Sequence, residues 1–237
     1  MAFSSFADRL PDPNYKITEA GENSGSGTAG PGFASVKFSS EQPVAMSRTN
    51  SGRVITRSIM AQHWIIDITY NPMTRDEFEP VYNFLMEKRG RLKPFYVVLP
   101  QYSSPRTSTS GTIYVSGSIT AGDTNFLIDG MDSVTGGLRP GDMFNFSDSG
   151  NSNHKKIYQV VRVADSTNKL SSDSALDTTD ERRLYVVPPV EKDVSDNSTI
   201  TYTNPTFRVI QRSDVQEYSL GTNNLYQFSL QLEEAQP

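Results

Sequence analysis

The chain has no cysteine, which excludes disulfides, thiolate metal sites and cysteine nucleophiles. It has only two histidines, His63 and His154, too few for a histidine-rich metal centre. No stretch approaches the roughly 18 consecutive apolar residues of a membrane-spanning helix, so no membrane span is expected. Met1–Leu10 lacks the charged start and apolar run of a signal peptide. A concentrated basic face is also missing. The 22 Lys and Arg face 27 Asp and Glu, a net charge of −5, so nucleic-acid specificity is not expected. Apolar residues are scarce at 35%, while aromatics reach 10%. Such a balance fits a mainly β chain with many turns, or one that completes its burial against other subunits. The 237 residues allow about one to two domains.

Four segments follow from the patterning. Residues 1–32 read as an extended N-terminal arm. Pro11, Pro13 and the Gly21–Gly32 run cannot form a regular element, and docking on a neighbouring subunit is the expected way to order it. Residues 33–106 form the first part of a core β domain. Its clearest strand is Gln62–Tyr70, with Trp64, Ile66, Ile68 and Tyr70 on one face at period two. After Asn71-Pro72 comes a helix at about 74–89. Thr74 caps it and Glu77 completes a capping box, with Met73 and Phe78 at the staple positions. Phe78, Val81, Tyr82 and Leu85 make its apolar stripe. Ile65, Phe84 and Met86 lie off the two apolar faces and are expected to serve subunit contacts. Lys88 and Arg89 suit the helix end, and Gly90 closes it. Pro80 should kink the helix or tighten its first turn.

Residues 107–204 change rhythm. Short strands separated by Gly, Asp and Ser turns read as a small β-barrel or sandwich without helices. Residues 205–237 return to the core domain. Tyr226–Leu232 alternates strictly, with Tyr226, Phe228, Leu230 and Leu232 inward, and the strand around Trp64 is its natural partner.

Chemical motifs are sparse. Gly25, Gly27 and Gly30 match the spacing of a dinucleotide loop, but no strand precedes them and Pro31-Gly32 follows, so no cofactor is expected. His63 lacks a nucleophile partner and reads as surface or interface packing. His154 sits in a polar loop and reads as solvated. Asp123, Asp129, Asp132 and Asp142 punctuate turns, which explains them without a metal. The basic run Glu87–Lys93 reads as a helix end with cations favoured by the dipole, available for inter-subunit pairs. No acid–base constellation is assignable, so catalysis is not expected.

One constellation is more specific. Trp64–Phe78 runs into Phe84–Arg91 and then Pro94-Phe95. A strand ending in Trp…Tyr-x-Pro, a capped helix, an aromatic–Leu pair, a Gly–Arg turn and a Pro-Phe strand resembles the distal tail and minor tail proteins of long-tailed bacteriophages. Leu138–Phe146, Tyr158–Val163 and Leu184–Val190 resemble the inserted domain of the family's larger members, and Phe228–Glu234 its closing strand. The resemblance implies a tail-tube-like β-sandwich or barrel core with one packed helix, plus an inserted small β domain. It implies a structural virion protein made in the host bacterial cytoplasm, forming a ring, usually a hexamer, that joins tail tube to tip or baseplate. Partners would be further copies, other tail proteins (tube, hub, fibres) and a host surface receptor. The residues carried over are Trp64, Tyr70, Pro72, Thr74, Glu77, Phe78, Phe84, Leu85, Gly90, Arg91, Pro94, Phe95 and Phe228. An alternative is a receptor- or glycan-binding module, with Tyr114, Tyr158 and Tyr185 of the insert as stacking faces.

Overall fold

The computed structural model describes residues 8–14, 16–17, 27–59, 61–171, 173, 176 and 179–235. The chain divides into two compact units. The first takes residues up to 97 and returns at 208–235; the second is the stretch between, 98–207.

The first unit runs β1 (Lys16–Ile17), β2 (Thr28–Ala29), β3 (Phe33–Glu41), β4 (Val44–Arg48), β5 (Val54–Ser58), β6 (His63–Tyr70), α1 (Arg75–Lys88) and β7 (Phe95–Val97). The second holds β8 (Ile113–Ser116), β9 (Asn125–Asp129), β10 (Met143–Ser147), β11 (Tyr158–Ala164), β12 (Arg182–Val187) and β13 (Thr199–Thr201). Then come β14 (Phe207–Gln211), β15 (Tyr218–Leu220) and β16 (Tyr226–Glu234).

The main sheet has the order β3-β6-β16-β14-β7, and β15 also pairs with β16. Period-two patterning sets its register. Leu230 faces Ile68 and Leu232 faces Ile66, so two apolar rows lie side by side on one face. Trp64, Ile66, Ile68 and Tyr70 are all buried, and Ile65 on the opposite face is half-buried. Helix α1 covers this face. Phe78 meets Phe228 with ring centroids 5.8 Å apart, and Phe84 meets Phe95 edge-on at 5.3 Å.

The helix stripe is wider than Phe78, Val81, Tyr82 and Leu85. Phe84 is fully buried, so it is core and not a subunit contact; Met86 does stay exposed. Two walls, β16 and β7, receive the helix, and a second wall buries a second row of side chains. Pro80 removes one backbone donor, yet Arg75–Lys88 continues through it as one helix. At the start, the Glu77 carboxylate accepts from both the N–H and the hydroxyl of Thr74, each at 2.9 Å. At the end, Arg89 itself takes the left-handed conformation, φ 54°, and Gly90 follows at φ 63°. The turn therefore begins one residue earlier than glycine alone suggests. A β-carbon on Gly90 would lie 2.9 Å from Asp214 Oδ1 and 3.2 Å from Asp214 Cα, so close approach also demands glycine there.

Part of the N-terminal segment is held within the chain itself: residues 8–12 dock on their own unit. Tyr96 of β7 donates to the Asp8 carbonyl at 2.7 Å and accepts from the Leu10 N–H at 2.8 Å. Leu10 is buried, Arg9 pairs with Asp12 at 2.6 Å, and the Gly30 N–H reaches the Asp12 carbonyl. Lys88 is not solvated. It is 3% exposed, lies 4.8 Å from the Phe84 ring centroid and donates to the Asp8 carboxylate at 2.9 Å. Residues 18–26, the glycine-rich part that includes Gly25, lie outside the described residues.

The second unit is a closed barrel, β10-β11-β12-β9-β8-β13, and not a sandwich. Closure leaves no unpaired edge. Phe126, Phe144, Phe146 and Tyr158 fill its interior with tilted and edge-on contacts of 5.4–6.2 Å. Turn carboxylates behave as the sequence suggests: Asp142 accepts from the N–H groups of Arg106 and Arg139. One short 3-10 turn, Met131–Ser133, interrupts the otherwise helix-free barrel.

His154 is buried, contrary to the solvated reading. The Tyr158 hydroxyl accepts from the Glu191 N–H and shares a 2.6 Å hydrogen bond with His154 Nε2. Burial first, then the Lys192 charge, pushes His154 down to about 4. The unfolded chain therefore binds the extra proton between pH 6.5 and about 4. This contribution is complete above pH 6.5 and is lost as pH falls toward 4. The expected loss is about 2 kcal/mol, after discounting the full shift for solvent screening. Urea unfolding at stepped pH should show this slope, and His154→Gln should flatten it.

Candidate assembly surface

Among the described residues, no three His, Asp or Glu side chains converge as a metal site would require. An open cleft of about 550 Å³ beside β15 includes Tyr70, Tyr218 and Gln227 in its wall. Glu217 is its one carboxylate, and no histidine or cation accompanies it. His63 sits 3.4 Å from Glu41 on the neighbouring strand, a cross-strand pair rather than a reactive site. No helix among the described residues is long and apolar enough to cross a membrane.

The residues singled out from the sequence sort into two groups. Trp64, Tyr70, Phe78, Phe84, Leu85, Phe95 and Phe228 are buried. Trp64 stacks on Phe38 at 4.8 Å, and Tyr70 stacks on Phe228 at 5.9 Å. The Tyr70 hydroxyl has no hydrogen-bond partner among the described residues. Burial first, then the Asp12 charge, raises it well above the usual tyrosine range. The Leu85 carbonyl accepts from Gln211 at 3.1 Å. Thr74 and Glu77 cap the helix, and Pro72 is exposed where β6 ends. Pro94 is half-buried before β7. Arg91 reaches across to the Arg212 carbonyl at 3.0 Å, tying the turn after α1 to the turn after β14. These residues position the unit's surfaces; most are too deep to touch a partner.

Two exposed surfaces result. The first is the β4–β5 hairpin. Cross-strand pairing places Val44, Met46 and Val54 on one face and Ile55 on the other. Both faces are open: Met46 is 65% exposed and Ile55 54%. An isolated two-stranded hairpin is marginal in water, so one with apolar residues on both faces calls for a partner. The sequence reading gave this hairpin no role. The signal was compositional. Residues 42–66 carry three arginines, Arg48, Arg53 and Arg57, and no acidic residue. None of the three makes an ion pair among the described residues.

The second surface is β15. Tyr218 rests on Phe78 at 5.0 Å and on Tyr82 at 5.5 Å, both on α1. Its outer side is open, and Val215 and Leu220 beside it are exposed. Among the described residues only one edge of this strand is paired, to β16.

In the second unit the three tyrosines do not form one stacking platform. Tyr158 is fully buried, and the Arg162 guanidinium lies 4.0 Å from the Tyr185 ring centroid. The Tyr185 hydroxyl is held by Asp173. Tyr114 alone keeps an exposed ring.

Comparison with known proteins converges on one group. The family model described as "Distal tail protein pb9, A domain, N-terminal" matches residues 10–102. That span covers the hairpin, β6, α1, β7 and residues 10–12 of the docked N-terminal segment. Distal tail protein pb9 of Escherichia phage T5 is 29% identical over 162 residues, 68% of this chain and 71% of that protein. The two matches support a phage distal tail family for this chain.

Proposed function

We propose that this chain is a structural, non-catalytic subunit of a phage tail, and that its copies close into a ring, a hexamer in the simplest case, at the distal end of the tail tube. The ring would join the tube to the tip proteins and so contribute to host attachment. The observation that carries this reading is the β4–β5 hairpin, whose apolar residues are open on both faces. A ring is built from head-to-tail contacts, in which one patch of a copy meets a different patch of the next. The tail location rests on the similarity to the T5 distal tail protein.

Electron microscopy of the purified chain, and of particles carrying it, tests the reading. Class averages should show rings with an axial hole at the tube's end. Single copies at the particle periphery, with monomers in solution, would overturn it.

A further inference from the structure

The hairpin and the β15 strand match each other in chemistry. The hairpin is basic and apolar: Arg48, Arg53 and Arg57 flank Val44, Met46, Val54 and Ile55. The β15 region is acidic and apolar: Asp214 and Glu217 flank Val215, Tyr218 and Leu220. Residues 213–237 contain no lysine or arginine. Among the described residues, the one ion pair of Asp214 is with exposed Arg91 at 4.0 Å. A strand with one edge paired keeps backbone donors and acceptors for an incoming strand. The outer edge of β7 offers no such opening, because residues 8–10 already occupy it.

We infer that the β4–β5 hairpin of one copy docks on the β15 edge of the next copy, with its arginines against Asp214 and Glu217. This rests on the ring reading and names the two surfaces that form its repeating contact. The contact is heterologous, so each copy uses its hairpin on one neighbour and its β15 edge on the other. Opposite charge on the two patches sets register and disfavours hairpin-to-hairpin and edge-to-edge contacts, where like charges would meet.

Two charge-reversed chains test it: R48E/R57E on the hairpin and D214K/E217K on the edge. All four positions are exposed, and thermal melts confirm folding. E217K alone replaces the edge variant if Asp214, which packs by Gly90, proves needed for the fold. Each variant by itself should lose ring assembly by at least tenfold in the concentration required. A one-to-one mixture should recover it, because reversed hairpins fit reversed edges and the remaining native hairpins fit native edges. Rings in the wild type but no recovery in the mixture would overturn this contact and leave the ring standing. An edge variant that assembles like the wild type would do the same. Absence of rings from wild-type chain and particles would overturn the ring itself.

Discussion

Phe78→Ala should cost the first unit about 3–5 kcal/mol, a large share of the stability of a domain this size. Its ring lies at the junction of helix and sheet. It stacks on Tyr226 at 4.6 Å and Tyr82 at 5.2 Å, and meets Tyr218 at 5.0 Å and Phe228 at 5.8 Å. Truncation leaves a cavity that the four aromatic neighbours cannot refill without moving α1. The effect should not be uniform. The three-residue β15 strand is held by β16 and by Tyr218 on Phe78, so it has the least to lose before it opens. Hydrogen exchange at residues 218–220 should accelerate before exchange in β6. Phe78→Leu, which keeps most of the volume, should cost about 1–2 kcal/mol. A melt of the alanine variant within 1 kcal/mol or so of the wild type would contradict this account.

Removing residues 1–12 should be comparably damaging, at roughly 4 kcal/mol. Leu10 leaves a buried site, which alone costs on the order of 2–3 kcal/mol. Lys88 stays against the Phe84 ring but loses the Asp8 carboxylate and part of the wall that buries it. A buried charge stripped of its partner is the costly half of such a pair. The Tyr96 N–H and carbonyl also reopen, leaving a sheet edge prone to adventitious pairing. Lys88→Met separates these terms. In the full chain it should be nearly neutral, because an apolar side chain suits the site. In the truncated chain it should restore part of the loss. Unfolding curves of the four chains measure both effects. If truncation left stability unchanged, the segment would serve only a neighbour.

The residues themselves determined every feature whose cause lies within a few positions along the chain. Alternation in β6 and β16 follows from the two-residue period of a strand, so the buried rows Trp64–Tyr70 and Phe228–Leu232 were readable, and so was their pairing. The cap at Thr74 and Glu77 spans three residues, and the Asp142 turn also closes locally. Tertiary structure decided the rest. Phe84 and Lys88 are buried because β7 and the N-terminal segment, from distant parts of the chain, form a second wall beside α1. His154 is buried because a barrel closes around it, though its local sequence is that of a polar loop. The hairpin follows the opposite logic. Its β-branched residues form strands by local preference, while their exposure depends on whether the rest of the unit covers them, and it does not. Burial is a sum over neighbours remote in sequence, so strand identity was local information and surface identity was not.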